Sequence, residues 1–148
     1  MMPLLSAIRE RLLSLPAVTT WVDGRIYTLR FPQSLNAPAI RLLEISHISA
    51  MQLRGDVALR RVRVQIDTVE AEHHGDPYAN AHAIADAVRG DLTSGSASGL
   101  SGFQGDLSGI PIAAIHAVEQ RERYDAETHL VRVEQDFVIW FESGGAHV

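Results

Sequence analysis

The sequence contains no cysteine. That excludes disulfides, thiolate metal sites and cysteine nucleophiles, and it is neutral to mildly favourable for a cytosolic origin. Long hydrophobic runs are also missing, and none approaches the roughly 20 apolar residues that a membrane-spanning helix needs. The opening MMPLLSAIRERLL sets Arg9, Glu10 and Arg11 inside its apolar stretch, where a secretory signal requires an uninterrupted one, so no export signal is expected. Basic charge is in short supply. With 13 Lys and Arg against 18 Asp and Glu, the net charge is −5, and a general nucleic-acid-coating role needs the opposite sign. No G-x-S-x-G, Walker loop or H-E-x-x-H occurs, and the one Gly/Ser-rich stretch lacks both the Lys and the strand-before-helix setting of a phosphate loop.

What is present is an ordinary globular composition, 46% hydrophobic and 21% charged over 148 residues, which predicts one domain, 1–148. Its organising stretch is VRVQIDTVEAEHHGDPYANAHAIADAVRGDL, residues 62–92. Val62, Val64 and Ile66 alternate with Arg61, Arg63, Gln65 and Asp67, the period-two pattern of a strand with one buried face. Beyond an acidic turn, Tyr78, Ala81, Ala85, Val88 and Leu92 recur at steps of 3 and 4, which predicts a helix over about 77–91 with Asp76 as its cap and Pro77 at its first position. Strand and helix read as two layers of one core.

Taken in order, Pro3 opens a helix on which Leu5, Ile8, Leu12 and Leu15 form one face, Arg9, Glu10 and Arg11 face water, and Pro16 is the stop. Asp23-Gly24 marks a turn before a short β run at Ile26-Tyr27, and FPQSLNAP is prolyl loop. A second strand over 39–48 shifts its apolar phase between Ile40, Leu42 and Leu43, Ile45, which predicts a bulge or cover on both faces. Gly55-Asp56 then turns the chain into the strand above. Residues 93–109 carry five Gly and five Ser, a composition that by itself predicts a mobile loop. Two strands over 110–123 and 129–141, joined through YDAET, form a C-terminal hairpin, and 143–148 should fray. In the last strand Val131, Val133, Phe137, Ile139 and Phe141 share one face, while Leu130, Val138 and Trp140 add an apolar strip on the other that needs a cover. The fold class is α+β: a mainly antiparallel sheet of four to five strands, two helices packed on one face, and a long Gly/Ser-rich loop before the final hairpin.

Several clusters invite a chemical reading. Glu70, Glu72, His73, His74 and Asp76 are of ligand type for zinc or manganese, but no ligand periodicity joins them, and a strand-to-helix turn with an Asp cap explains them better. His47, His82, His116 and His129 lie on different elements. The sets Arg61/Arg63, Glu119/Arg121/Arg123 and Arg132/Glu134/Asp136 fall on polar strand faces, where a solvated ladder of opposite charges is the first expectation and a subunit contact the second. No catalytic, metal or cofactor residue is assigned.

The pieces PLLSAIRERLLSLPAV, DGRIYTLRFPQ leading through the Pro38 loop to a strand, VRVQIDTVEA followed by AHAIADAVRGDL, and the closing VEQDFVIWF resemble, in order and spacing, the tail-completion family of long-tailed phages and gene transfer agents, the tail terminator or tail-to-head joining proteins. The resemblance implies a non-enzymatic virion subunit, assembled in the host cytoplasm, that forms a hexameric ring at the head-proximal end of the tail tube. Such a ring ends tube growth and joins the tail to the head connector. The implied partners are other copies of the chain, the tail tube protein and a head-completion or stopper protein. No membrane is involved, and DNA passes through the lumen without specific binding. Six copies at −5 give a ring of roughly −30, from which a net-negative lumen is expected.

Three sets of residues carry expectations about partners. Leu100, Phe103 and Leu107, the large apolar side chains of the Gly/Ser loop, are expected to anchor it on a neighbouring subunit or on the tube or connector protein; the alternative is that the loop folds back over its own sheet and covers the Trp140 strip. Trp140, Val138 and Leu130 are candidate interface residues, as are Arg61 and Arg63. Two other readings remain open. A stopper beneath the portal would show a more barrel-like strand pattern without the helix at 77–91, and a small metal-dependent enzyme would use the Glu70 to Asp76 turn.

Overall fold

The computed structural model describes residues 2–54 and 57–144. Among these residues the chain forms three helices, α1 (Leu4–Leu13), α2 (Pro16–Val22) and α3 (Pro77–Arg89). The main sheet is built from β1 (Ile26–Thr28), β2 (Ala39–Arg54), β3 (Val57–Ala71), β6 (Gly105–Leu107), β7 (Ile110–Asp125) and β8 (Leu130–Gly144). Two further strands, β4 (Leu92–Thr93) and β5 (Ser96–Ala97), make a small separate ribbon. The six strands are ordered β1-β2-β3-β8-β7-β6, antiparallel throughout except for the parallel pair β1-β2. The α+β class and the mainly antiparallel sheet agree with the sequence. The counts of four to five strands and two helices do not, because short edge pieces and a second N-terminal helix carry too few residues to show a period.

Pro16 accounts for the extra helix. It begins α2 as its first residue instead of only ending α1, since a ring that cannot donate an N–H loses nothing at a helix start. Val18 and Val22 of this short helix are buried in the core.

The alternation read in β3 is present: Val62, Val64 and Ile66 are buried on the helix side, with Phe137, Ile139 and Phe141 of β8 beside them in the same cluster. Helix α3 lies across β3 and β8. Asp76 accepts a hydrogen bond from the Ala79 amide at 3.1 Å, as expected of the cap. Its buried stripe is Ala81, Ile84, Ala85 and Val88; Tyr78 and Leu92, which the spacing placed at the ends of that stripe, are exposed, and the helix stops at Arg89. Helix α1 touches β1 and β2 on one side of the sheet and β6 on the other, so the sheet curls around it.

The strands are longer than predicted, 15 or 16 residues in β2, β3, β7 and β8. Bulges absorb the phase shifts, between Glu44 and Ser46 in β2 as anticipated, and between Ala117 and Glu119 in β7. Strand β8 continues through Gly144, past the predicted start of the fraying tail at 143; the Gly55-Asp56 turn and the rest of the tail, 145–148, lie outside the described residues.

Candidate functional site: an open charged face and an anchored loop

The helices cover one face of the sheet. The other carries, on neighbouring strands, Arg41, Arg63, Gln65, Asp67, Glu119, Arg121, Arg123, Arg132, Glu134 and Asp136, and their side chains form one network. Asp67, fully buried, accepts from Arg41 Nε at 3.0 Å and from a second, closer guanidinium nitrogen, and from Gln65 Nε2 at 2.6 Å, with Arg132 Nη1 at 3.6 Å. Asp136 accepts from Arg63 at 2.7 and 2.9 Å and from Arg121 at 3.0 Å. Glu134 takes Arg121 at 3.3 Å and Arg123 at 3.4 Å, and Glu119 takes Arg63 at 2.9 Å and Arg121 at 3.0 Å. Burial alone pushes the Asp136 carboxyl up, but hydrogen bonds from Arg121 and Arg63 outweigh it and hold the carboxyl below its usual range. Bonding to the same carboxylate, opposed by some burial, raises the Arg121 guanidinium.

The network has a vertical order. The side chains of Asp67, Asp136 and Glu134 are 0%, 6% and 7% exposed, whereas those of Arg41, Arg63, Arg121 and Arg123 are 23%, 35%, 34% and 67% exposed. Three of the four carboxylates lie beneath most of the guanidinium groups, while Glu119, 49% exposed, pairs with Arg63 and Arg121 from the surface, so an acidic protein presents a face of paired arginines. All 13 basic residues of the chain are arginine, which alone can bridge two carboxylates with fixed planar geometry.

Arg61, on this same face, stacks its guanidinium 5.2 Å from the ring of Trp140. Trp140, Val138 and Leu130 are each half-buried, and the expected apolar strip is broken between Leu130 and Val138 by Arg132, Glu134 and Asp136. Of the five interface candidates, Arg63 is thus tied into the ion-pair network and Arg61 supplies part of the cover for Trp140.

The loop from 93 to 109 is anchored to its own chain. Leu100 and Leu107 are core residues, 0% and 4% exposed, and half-buried Phe103 packs against the same cluster. The expectation that these three side chains reach a partner is corrected for the two leucines, which could do so only by leaving the core. Fold-back is the observed arrangement, although the loop packs on the helix side and not over the Trp140 strip. Three devices order it. The amides of Leu100 and Ser101 donate to the Val88 and Arg89 carbonyls at 3.0 and 2.9 Å and so cap the end of α3. Gly90 and Gly99 permit this approach: a Cβ on Gly99 would sit 2.6 Å from the Val88 oxygen. Arg11 donates to the Ala97 and Gly99 carbonyls at 2.9 and 3.0 Å and lies 4.7 Å from the Phe103 ring centre.

Arg11 and Arg9 were expected to face water. Arg11 instead clamps the loop, and burial lowers its pKa; Arg9 donates to the Ile26 carbonyl at 2.7 Å, joining α1 to β1. The sequence gives no signal for either role, because both partners are backbone oxygens far along the chain.

The metal-type residues have separate partners. Glu70, buried, meets His74 Nδ1 at 2.8 Å and Asn80; Glu72 accepts a short hydrogen bond from the Tyr124 hydroxyl and meets His129 at 3.3 Å; Asp76 caps α3; and His73 packs edge-on to His74. Two of the other scattered histidines make local pairs, His82 with Glu122 at 3.4 Å and His47 with Glu44 at 3.6 Å. Among the described residues, no group of three or more His, Asp or Glu side chains could hold a metal ion. What the geometry offers is a face of paired charges on long strands.

A solved structure described as the virion of a native gene transfer agent particle shares this fold, with a TM-score of 0.69, 17% identity and 95% of each chain covered. No curated protein matches the sequence. The family model for Tail completion protein gp17 matches residues 6–142, from within α1 through nearly all of β8, and so takes in every element of this architecture. By that match, the chain belongs to the tail completion protein gp17 family, a family of structural phage-tail proteins.

Proposed function

We propose that the protein is a non-enzymatic virion subunit that forms a hexameric ring at the head-proximal end of the tail tube, ends tube polymerisation and joins the tail to the head connector. The family match over 6–142 carries this reading. Its partners are other copies of itself, the tail tube protein and a head-completion or stopper protein, met after assembly in the host cytoplasm. Half-buried Trp140, Val138 and Leu130, with Arg61 and Arg63, remain candidates for subunit contact because they border the open face, and Phe103 is the one loop anchor with surface left to offer.

DNA passes the ring without specific binding. Phosphate attachment draws its strength from cations that release counterions, and Arg41, Arg63, Arg121, Arg123 and Arg132 each already have a carboxylate partner. Particles assembled without this protein test the reading: tails of irregular, excess length that fail to join heads are expected, and tails of normal length joined to heads would refute it.

A further inference from the structure

Arg11 differs from the arginines of the charged face in having no acid beside it. Arg41, Arg63, Arg89, Arg121, Arg123 and Arg132 each meet a carboxylate. Arg11, half-buried on α1, meets backbone oxygens instead, and both of its hydrogen bonds, to the Ala97 and Gly99 carbonyls, leave from Nη2. Its Nε is buried without an acceptor, and its guanidinium carbon lies over the Phe103 ring. Among the described residues Nη1 makes no hydrogen bond, so it is the donor left over. A cation drawn partly out of water with no anion nearby is destabilised, and burial, unopposed by any carboxylate, accordingly lowers the Arg11 pKa.

This guanidinium borders a cavity of about 490 Å³. The other walls are the β4-β5 ribbon at Ser96, the loop at Gly102 and Gln104, and β7 at Ile115. Such a volume lies within the range of small-ligand pockets. Among the described residues no Asp or Glu lines it, although the chain has 18 acidic residues against 13 basic ones. Ser96 and Gln104 bring neutral hydrogen-bonding groups to the wall.

We propose that the cavity binds a carboxylate, which pairs with Arg11 Nη1, and that its source is an Asp or Glu side chain of a bound protein or a free small acid. One negative charge matches one guanidinium, whereas a phosphate carries roughly two at neutral pH and would find no second arginine in the wall. The planar acid also suits a planar donor whose one face is already covered by Phe103. Because the same guanidinium holds the Ala97 and Gly99 carbonyls through Nη2, a guest on Nη1 tightens the loop's anchor on α1. The inference stands apart from the ring reading and does not depend on it.

The test is an NMR titration of the full chain, following backbone amides at constant ionic strength, with three probes: glutarate, doubly capped glutamate and doubly capped glutamine. Saturable shifts of the Ser96, Gly102 and Gln104 amides with both acids, and none with the glutamine derivative, are the expected result. Shifts from glutarate alone would support the carboxylate site and assign it to a free acid. Equal shifts from the glutamine derivative or from inorganic phosphate would overturn the proposal, as would no shift with either acid. Arg11→Gln removes the cation but also loosens the loop, so Ser96→Asp is the second arm. Ser96 is exposed and outside the core, and an acid built into the wall should weaken glutarate binding about tenfold or more, by pairing with Arg11 or repelling the guest, while Ser96→Asn leaves binding unchanged. Equal affinity in these two variants would place the anion elsewhere and overturn the proposal.

Discussion

Single residues decide whether the loop is a tether or part of the fold. Arg11→Ala removes two hydrogen bonds to carbonyls and a stacked contact on Phe103, and should cost about 2 kcal/mol or more of unfolding free energy in a denaturant titration. Arg11→Lys should recover part of this, since an ammonium can reach one carbonyl but cannot bridge two. Gly99→Ala forces a methyl against the backbone oxygen of Val88 and should destabilise the protein in the same assay. Val88→Asp places an unpaired carboxylate between helix and sheet, costing several kcal/mol and soluble yield; a wild-type melting temperature would refute the two-layer packing. Asp136 gives the pH dependence. Its folded pKa lies below the ordinary 3.8, so its contribution is complete above that value and is lost as pH falls through the folded pKa. Melting temperature should drop below about pH 4, and Asp136→Asn should flatten that part of the profile, read by calorimetry.

At the scale of elements, replacing residues 95–108 with a short Gly-Ser linker separates the two accounts of the loop. Removal of Leu100, Leu107 and the cap on α3 should collapse the stability of the monomer itself; a monomer that melts normally would return the loop to the role of a partner tether. This element also shows what the sequence could and could not disclose. The β3 alternation, the Asp76 cap and the final hairpin were legible because each is written in neighbours with a strong local period. The loop's order was not, because Gly and Ser report only the cost of fixing the backbone, while the compensating contacts come from Arg11 and α3 at a distance. The acids beneath the arginines were seen as polar alternation; the burial of Asp67 and Asp136 follows from which strands stand beside β3, and register is not visible in one strand. The added helix and edge strands were missed for their brevity.

For the whole molecule, the open charged face and the family match over 6–142 point to a structural role in the phage tail. Salt offers one check. Because each guanidinium of the network already pairs with a carboxylate, duplex DNA should bind the purified protein weakly, and tight binding that falls steeply with salt would mean that the face grips phosphates. The central claim is the ring. Native mass measurement of the protein recovered from the neck of assembled particles should give six copies of a 16.2 kDa chain; a monomer, a two-fold dimer or an open-ended series of masses would contradict it.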